Sequence, residues 1–134
     1  MAETKRKGDA GQAVIMARIM LDGYKVAIPV GEDWRFDIIV LKDGKLLRVQ
    51  CKYVTSDGNT LCVPCRSSNN WSVKRYTRHE IDWIVVYDST TDRCFYIPST
   101  MLGESGRATI NLRLKPAKNG QTKAVHWARD YEKW

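Results

Sequence analysis

The sequence predicts a single α/β domain built on a mixed sheet, and three observations carry that expectation. A helix-compatible stretch over residues 9–22 comes first, followed by a succession of strand-like runs with only small helical pieces after them. Asp43-Gly44 sits between two β-rich runs and is a strong hairpin signal. A dense apolar run, Ile81 to Tyr87, reads as a fully buried strand. At 134 residues, 43% of them apolar, the chain supports one real core and not two. It is read as one domain over residues 1–134, without internal repeat or interdomain linker.

In order, residues 1–8 are charged and expected to fray. Asp9 is the expected N-cap of the helix and Gly23 its stop. At about 100° per residue, Ala10, Ala13, Val14, Ala17, Met20 and Leu21 gather on one face, read as the core face. Ile15 and Ile19 fall on a second stripe with Gln12, to be covered by another part of the chain or by a second subunit. Tyr24 to Ile28 reads as a short strand, and Pro29 to Asp33 as a turn. Taking residues 43 and 44 as a two-residue loop pairs Lys42 with Lys45, Asp37 with Gln50 and Arg35 with Lys52. Alternation then places Phe36, Ile38, Val40, Leu47, Val49 and Cys51 on an apolar face. Arg35, Asp37, Arg48, Gln50 and Lys52 share the other.

Residues 56–59 form a further turn leading into Thr60–Cys65, expected as a third antiparallel strand. Trp71 to His79 is basic and aromatic. Cys94–Ile97 pairs back on the apolar strand, Pro98 opens a helical turn through Leu102, and Ala108 to Leu114 is a last strand. Ala124 to Trp134 is read as a short amphipathic helix.

The net charge is +7, from 22 basic and 15 acidic residues, which favours a polyanionic partner, nucleic acid first. No apolar run approaches the roughly 20 residues needed to cross a bilayer. The start carries no apolar segment of the secretory type. With four cysteines and no export signal, reduced thiols in a cytoplasmic setting are expected. Cys62 and Cys65 have the spacing of half a zinc site, but no second pair completes it, so buried thiols are the default.

On the hairpin, Asp37, the Gln50 side-chain oxygen and a backbone carbonyl of strand 50–52, at Cys51, form half a shell for a hard cation. Waters and a substrate phosphate would complete it. Lys52, two residues along the same face, is placed to orient or deprotonate a water or to neutralise the phosphate. From spacing alone the alternative is a solvated face of mixed charges. Arg66, Ser67, Lys74, Arg75 and Arg78, with Trp71 and Tyr76 among them, suit contacts to a nucleic-acid backbone, with Arg35 beside them and Lys115, Lys118 and Lys123 as a second cluster.

Lys7 to Gly11 opening a helix, Arg35 to Asp37, Arg48 to Lys52, Arg66 to Ser68, Glu80 to Asp82, Asn119 to Gln121 and His126 to Tyr131, taken in this order, resemble the PD-(D/E)xK nuclease superfamily. The nearer resemblance is to the branch of phage-type and group I intron-encoded homing endonucleases, akin to Holliday-junction resolvases. It implies a restriction-endonuclease-like α/β fold, a mixed β-sheet flanked by helices. It also implies a DNA endonuclease dependent on Mg²⁺ or Mn²⁺, acting as a homodimer or higher symmetric oligomer in the cytoplasm, of the host cell if phage-encoded. Asp37 becomes the metal-binding acid and Lys52 the motif lysine. Gln50 stands where most of the superfamily has Asp or Glu, a replacement this branch uses. Gln12 stands where the branch usually carries a further metal-site Glu. That departure leaves Asp37 as the one anionic ligand unless Asp9, Glu80 or Asp82 reaches the site. The second reading is therefore a DNA-binding module that keeps the fold without cutting. The third is a basic structural or RNA-binding protein.

Overall fold

The computed structural model describes residues 2–68, 73–116, 119–120 and 125–134. A helix α1 (Ala2–Leu21) is followed by β1 (Lys25–Ala27), β2 (Ile38–Lys42), β3 (Lys45–Val54), β4 (Thr60–Pro64), β5 (Arg66–Ser68) and β6 (Val73–Arg75). Then come β7 (Trp83–Asp88), β8 (Arg93–Pro98), a 3-10 turn at Ser99–Leu102, β9 (Thr109–Arg113) and a 3-10 turn at Ala128–Tyr131. The main sheet has the order β1-β2-β3-β7-β8, with β3 and β7 parallel and the other pairs antiparallel. It is a mixed α/β sheet, as expected.

Two cores lie on its two faces, where the chain length suggested one. On one, Ile15 and Ile19 of α1 pack with Ile38, Val40, Val49 and Val85. On the other, Ile84, Val86, Phe95 and Ile97 meet Leu61 and Val63 of β4, Ile110 and Leu112 of β9, and Leu102 and Ala128 of the turns. Strands β4 and β9 form a separate antiparallel pair, as do β5 and β6. Ile84 is the partner of Gln50 and Val86 of Lys52, which sets Gln50 and Lys52 on the face of the second core.

The hairpin register matches the sequence reading from Lys42↔Lys45 to Ile38↔Val49. Asp43 and Gly44 take the positive φ values, 52° and 78°, that a tight two-residue loop of this kind requires. Pairing ends at Ile38, so the expected Asp37–Gln50 and Arg35–Lys52 pairs are not formed, and Phe36 leaves the face of Ile38 to pack on the other core.

Four further expectations are corrected. The helix begins at Ala2 and is not frayed to residue 8: Arg6 and Lys7 reach Glu3, and Lys5 reaches Asp9, so Asp9 is an interior residue and not a cap. Its buried stripe is Gly11, Ile15 and Ile19, while Ala10, Ala13, Ala17, Met20 and Leu21 are exposed. Two large β-branched side chains spaced at i and i+4 decide the face, against a greater number of alanines that bury little area. Strand β4 pairs with β9 and not with the hairpin. Among the described residues the C-terminal segment is a single 3-10 turn, Ala128–Tyr131, and not a helix to residue 134; Trp134 packs against Tyr24, Trp83 and Tyr96.

Candidate active site

Asp37 lies one residue before β2, where its N–H donates to the Val49 carbonyl (2.9 Å). Its carboxylate Oδ2 accepts from the Cys51 N–H (2.8 Å), which ties the acid directly to the strand carrying Gln50 and Lys52. Burial pushes the Asp37 carboxyl above its ordinary value, with the Cys51 hydrogen bond and the Lys52 charge opposing. Burial likewise pushes Lys52 down, against the opposing pull of Asp37. Burial thus draws an acid and a lysine of one half-buried locality each towards neutrality.

Lys52 Nζ donates to the Arg66 carbonyl (3.2 Å) and stands 5.0 Å from the centre of the Tyr76 ring. The Arg35 guanidinium stands 4.6 Å from the same ring. It donates from Nε to Glu80 (2.8 Å), from Nη1 to the Ser67 hydroxyl (2.9 Å) and from Nη2 to the Arg75 carbonyl (3.1 Å). Arg35 is thereby a brace, with a donor on each side spent inside the protein. Tyr76 is buried, 4% exposed, and serves as floor for the two cations, not as a stacking surface for a base.

Gln12 and Asp37 line one open cleft of about 270 Å³, together with Pro29, Gly31, Glu32, Asp33, Trp34 and Phe36. Helix position 12 therefore does stand beside the acid. Gln50, 8% exposed, makes no side-chain hydrogen bond to a described residue, which is unusual for a nearly buried amide. The acids considered as replacements are engaged elsewhere. Asp9 pairs with Lys5, Glu80 with Arg35, and Asp82 with Arg48. Asp82 accepts from the Arg48 N–H as well (2.8 Å), so it fastens the start of β7 to β3. The cleft instead contains Glu32 and Asp33, which the sequence reading took only as part of a turn. Their position four and five residues ahead of Asp37 was the available signal.

Among the described residues no three His, Cys, Asp or Glu side chains converge as a metal cluster. The donor set Asp37, Gln50 and the Cys51 carbonyl has one negative charge. It suits a weakly held hard cation whose shell is finished by waters and a substrate phosphate, the usual pattern for Mg²⁺. The Cys51 thiol is not part of it: it packs in the α1 core, where burial pushes it well above the ordinary thiol value. Cys62 is exposed and Cys65 buried, both free; burial pushes Cys65 up to about 11.

Of the residues expected to touch nucleic acid, Arg66, Lys74 and Arg75 are exposed, and none makes an ion pair with a described residue. Ser67 faces Arg35. Arg78 is matched to the Glu104 carboxylate, which His79 also contacts at 3.0 Å. Lys118, Lys123 and Trp71 lie outside the described residues.

The family model described as PD-(D/E)XK endonuclease matches residues 2–134. The chain belongs to the PD-(D/E)XK endonuclease family. A solved structure of a bacterial homing endonuclease, I-Ssp6803I, is similar to it with a TM-score of 0.70 at 21% identity, over 96% of this chain and 87% of that one. At that identity the likeness establishes the fold, a nuclease-type α/β sheet. No curated protein matches the chain in sequence. No helix is long and apolar enough to cross a membrane.

Proposed function

We propose that this chain is a divalent-metal-dependent DNA endonuclease of the homing-endonuclease or resolvase type, with Asp37, Gln50 and Lys52 at the reacting phosphate and Gln12 beside them. The observation that carries the reading is the hydrogen bond from Cys51 N–H to Asp37, which fixes the acid against the strand bearing Gln50 and Lys52. Asp37, the Gln50 amide oxygen and the Cys51 carbonyl would hold Mg²⁺ or Mn²⁺. Such an ion supplies charge neutralisation at phosphorus and a hydroxide at neutral pH. Asp37 orients that assembly through its free oxygen. Lys52 places a positive charge on the substrate side, and burial brings its ammonium closer to giving up a proton. Its alternatives are to neutralise a non-bridging phosphate oxygen or to orient the attacking water. Tyr76 and the Arg66 carbonyl hold its stem in place.

Cutting both strands, or a junction, calls for two sites, so a symmetric homo-oligomer is the working form. The exposed side of α1, with Leu21 84% and Met20 51% exposed, is the apolar surface available to it.

A non-catalytic DNA-binding role is the competing reading, and Gln12 in place of a Glu is the observation that favours it. Incubating the protein with supercoiled and four-way-junction DNA in Mg²⁺, Mn²⁺ or Ca²⁺ separates the two. Nicking or linearisation in Mg²⁺ or Mn²⁺, lost in Lys52→Ala and Asp37→Ala, supports the nuclease. Tight binding in every ion with intact DNA throughout supports the binding module. Substituting both Arg66 and Arg75 by Ala is expected to reduce the salt slope of binding by about 1–2, and an unchanged slope would place those residues off the DNA.

A further inference from the structure

We infer that the β5–β6 ribbon is the element that reads base sequence in the major groove of duplex DNA, resting on the endonuclease reading above. Strands Arg66–Ser68 and Val73–Arg75 form an antiparallel pair that belongs to neither of the other two sheets. A two-stranded ribbon has strands about 4.8 Å apart, and the B-DNA major groove, about 12 Å wide, admits such an element. Arg66 lies directly opposite Arg75, and Ser67 opposite Lys74. The three cations are exposed and lack an ion-pair partner among the described residues. This sets them apart from Arg35, Arg48 and Arg78, each already matched to a carboxylate. Val73, further along the ribbon, is 60% exposed. An apolar side chain presented among cations is poorly suited to phosphate but well suited to a thymine methyl group.

The base of the ribbon is fixed to the reacting centre. Lys52 donates to the carbonyl of Arg66, and Arg35 donates to the carbonyl of Arg75, so the two cations hold the first rung from both strands. Gly106 closes the same corner: a Cβ there would meet the Tyr76 carbonyl at 2.8 Å and the Arg75 Cβ at 2.9 Å. A reading element held this way keeps a constant distance from the phosphate to be cut, which site-specific cleavage requires. Arg66 and Arg75, at the base, take the phosphate walls. Val73, two rungs beyond and on the same face as those arginines, takes a base edge, while Lys74, on the opposite face with Ser67, takes a phosphate.

The test is selection from a randomised duplex library in Ca²⁺, using full-length protein and the surface variants Val73→Ala and Lys74→Met. The ribbon assignment expects a motif enriched by the wild type in which Val73→Ala relaxes one or two adjacent positions by about tenfold, Lys74→Met weakens every sequence alike and lowers the salt slope by about 1, and dimethyl sulfate interferes at guanine N7. The same motif at the same strength in both variants, or interference confined to adenine N3, overturns the ribbon and leaves the nuclease reading standing. Failure of the wild type to bind any duplex overturns the ribbon, and failure to bind four-way-junction DNA as well overturns the nuclease reading.

Discussion

At Asp37 burial raises the carboxyl group's pKa, and the Cys51 hydrogen bond and Lys52 charge only partly offset it. For an acid whose folded value is raised, the charged form costs stability at neutral pH, and that cost fades as the pH falls through the folded value. Asp37→Asn keeps an oxygen for the Cys51 N–H and removes the charge. It is therefore expected to raise the melting temperature at neutral pH while abolishing metal-dependent cleavage; a lowered melting temperature would show that the carboxylate stabilises the fold. Asp88 is the opposite case. Burial raises it, but its carboxylate accepts from Ser56 N–H and Oγ (both 2.9 Å), Thr90 N–H (3.2 Å) and Thr91 Oγ1 (2.7 Å), and the sum holds it below its ordinary value. A lowered folded value gives stability that is present above the unfolded value, about 3.9, and lost as pH falls through the folded one. Asp88→Asn is expected to cost about 1–3 kcal/mol and to flatten the acid limb of stability against pH, measured by urea unfolding.

The elements explain why some of this was legible in the chain and some was not. Asp43-Gly44 specifies a turn by local backbone conformation alone, so the register of β2 and β3 from Lys42↔Lys45 to Ile38↔Val49 follows from sequence. Asp37 lies beyond that ladder and reaches β3 through its hydrogen bonds to Val49 and Cys51. The orientation of α1 does not follow from sequence, because it depends on how closely a helix can approach a sheet. Gly11 decides that distance: a Cβ there would lie 2.9 Å from the Tyr53 Cβ. Ile15 and Ile19 follow it onto the sheet at i+4 and i+8, and the alanine-rich side is left outward. Ala normally gains about 1 kcal/mol over Gly inside a helix. Gly11→Ala is nevertheless expected to destabilise, by about 1–3 kcal/mol, with the unfolding free energy in denaturant as the measurement. A gain would mean that the helix sits further from β3. Position 12 is carried round beside Asp37 by the same packing, so the Gly at 11 and the Gln at 12 are linked by geometry.

Over the whole molecule, β3 is the strand on which both halves depend. Val49 and Cys51 face the α1 core, while Gln50 and Lys52 face the second core and its β4–β9 cover. That cover was not legible, since β4 and β9 are some 50 residues apart in the chain and nothing local joins them. The burial that shifts Asp37 and Lys52 arises only in the folded chain, so the electrostatic strain at the proposed site is a product of tertiary structure, whereas the residues proposed for it were named from the motif. The pairing of Glu80 and Asp82 with Arg35 and Arg48 likewise emerges only in three dimensions, and it leaves Gln12 as the position where a further carboxylate would raise cation affinity.

The most direct test is nicking of supercoiled DNA in Mg²⁺ by Gln12→Glu and by Gln12→Glu combined with Asp37→Ala. A single cation-binding centre shared by positions 12 and 37 gives a rate above wild type in the first protein and background in the second. An increase that survives loss of Asp37, or no change with Gln12→Glu, would contradict it.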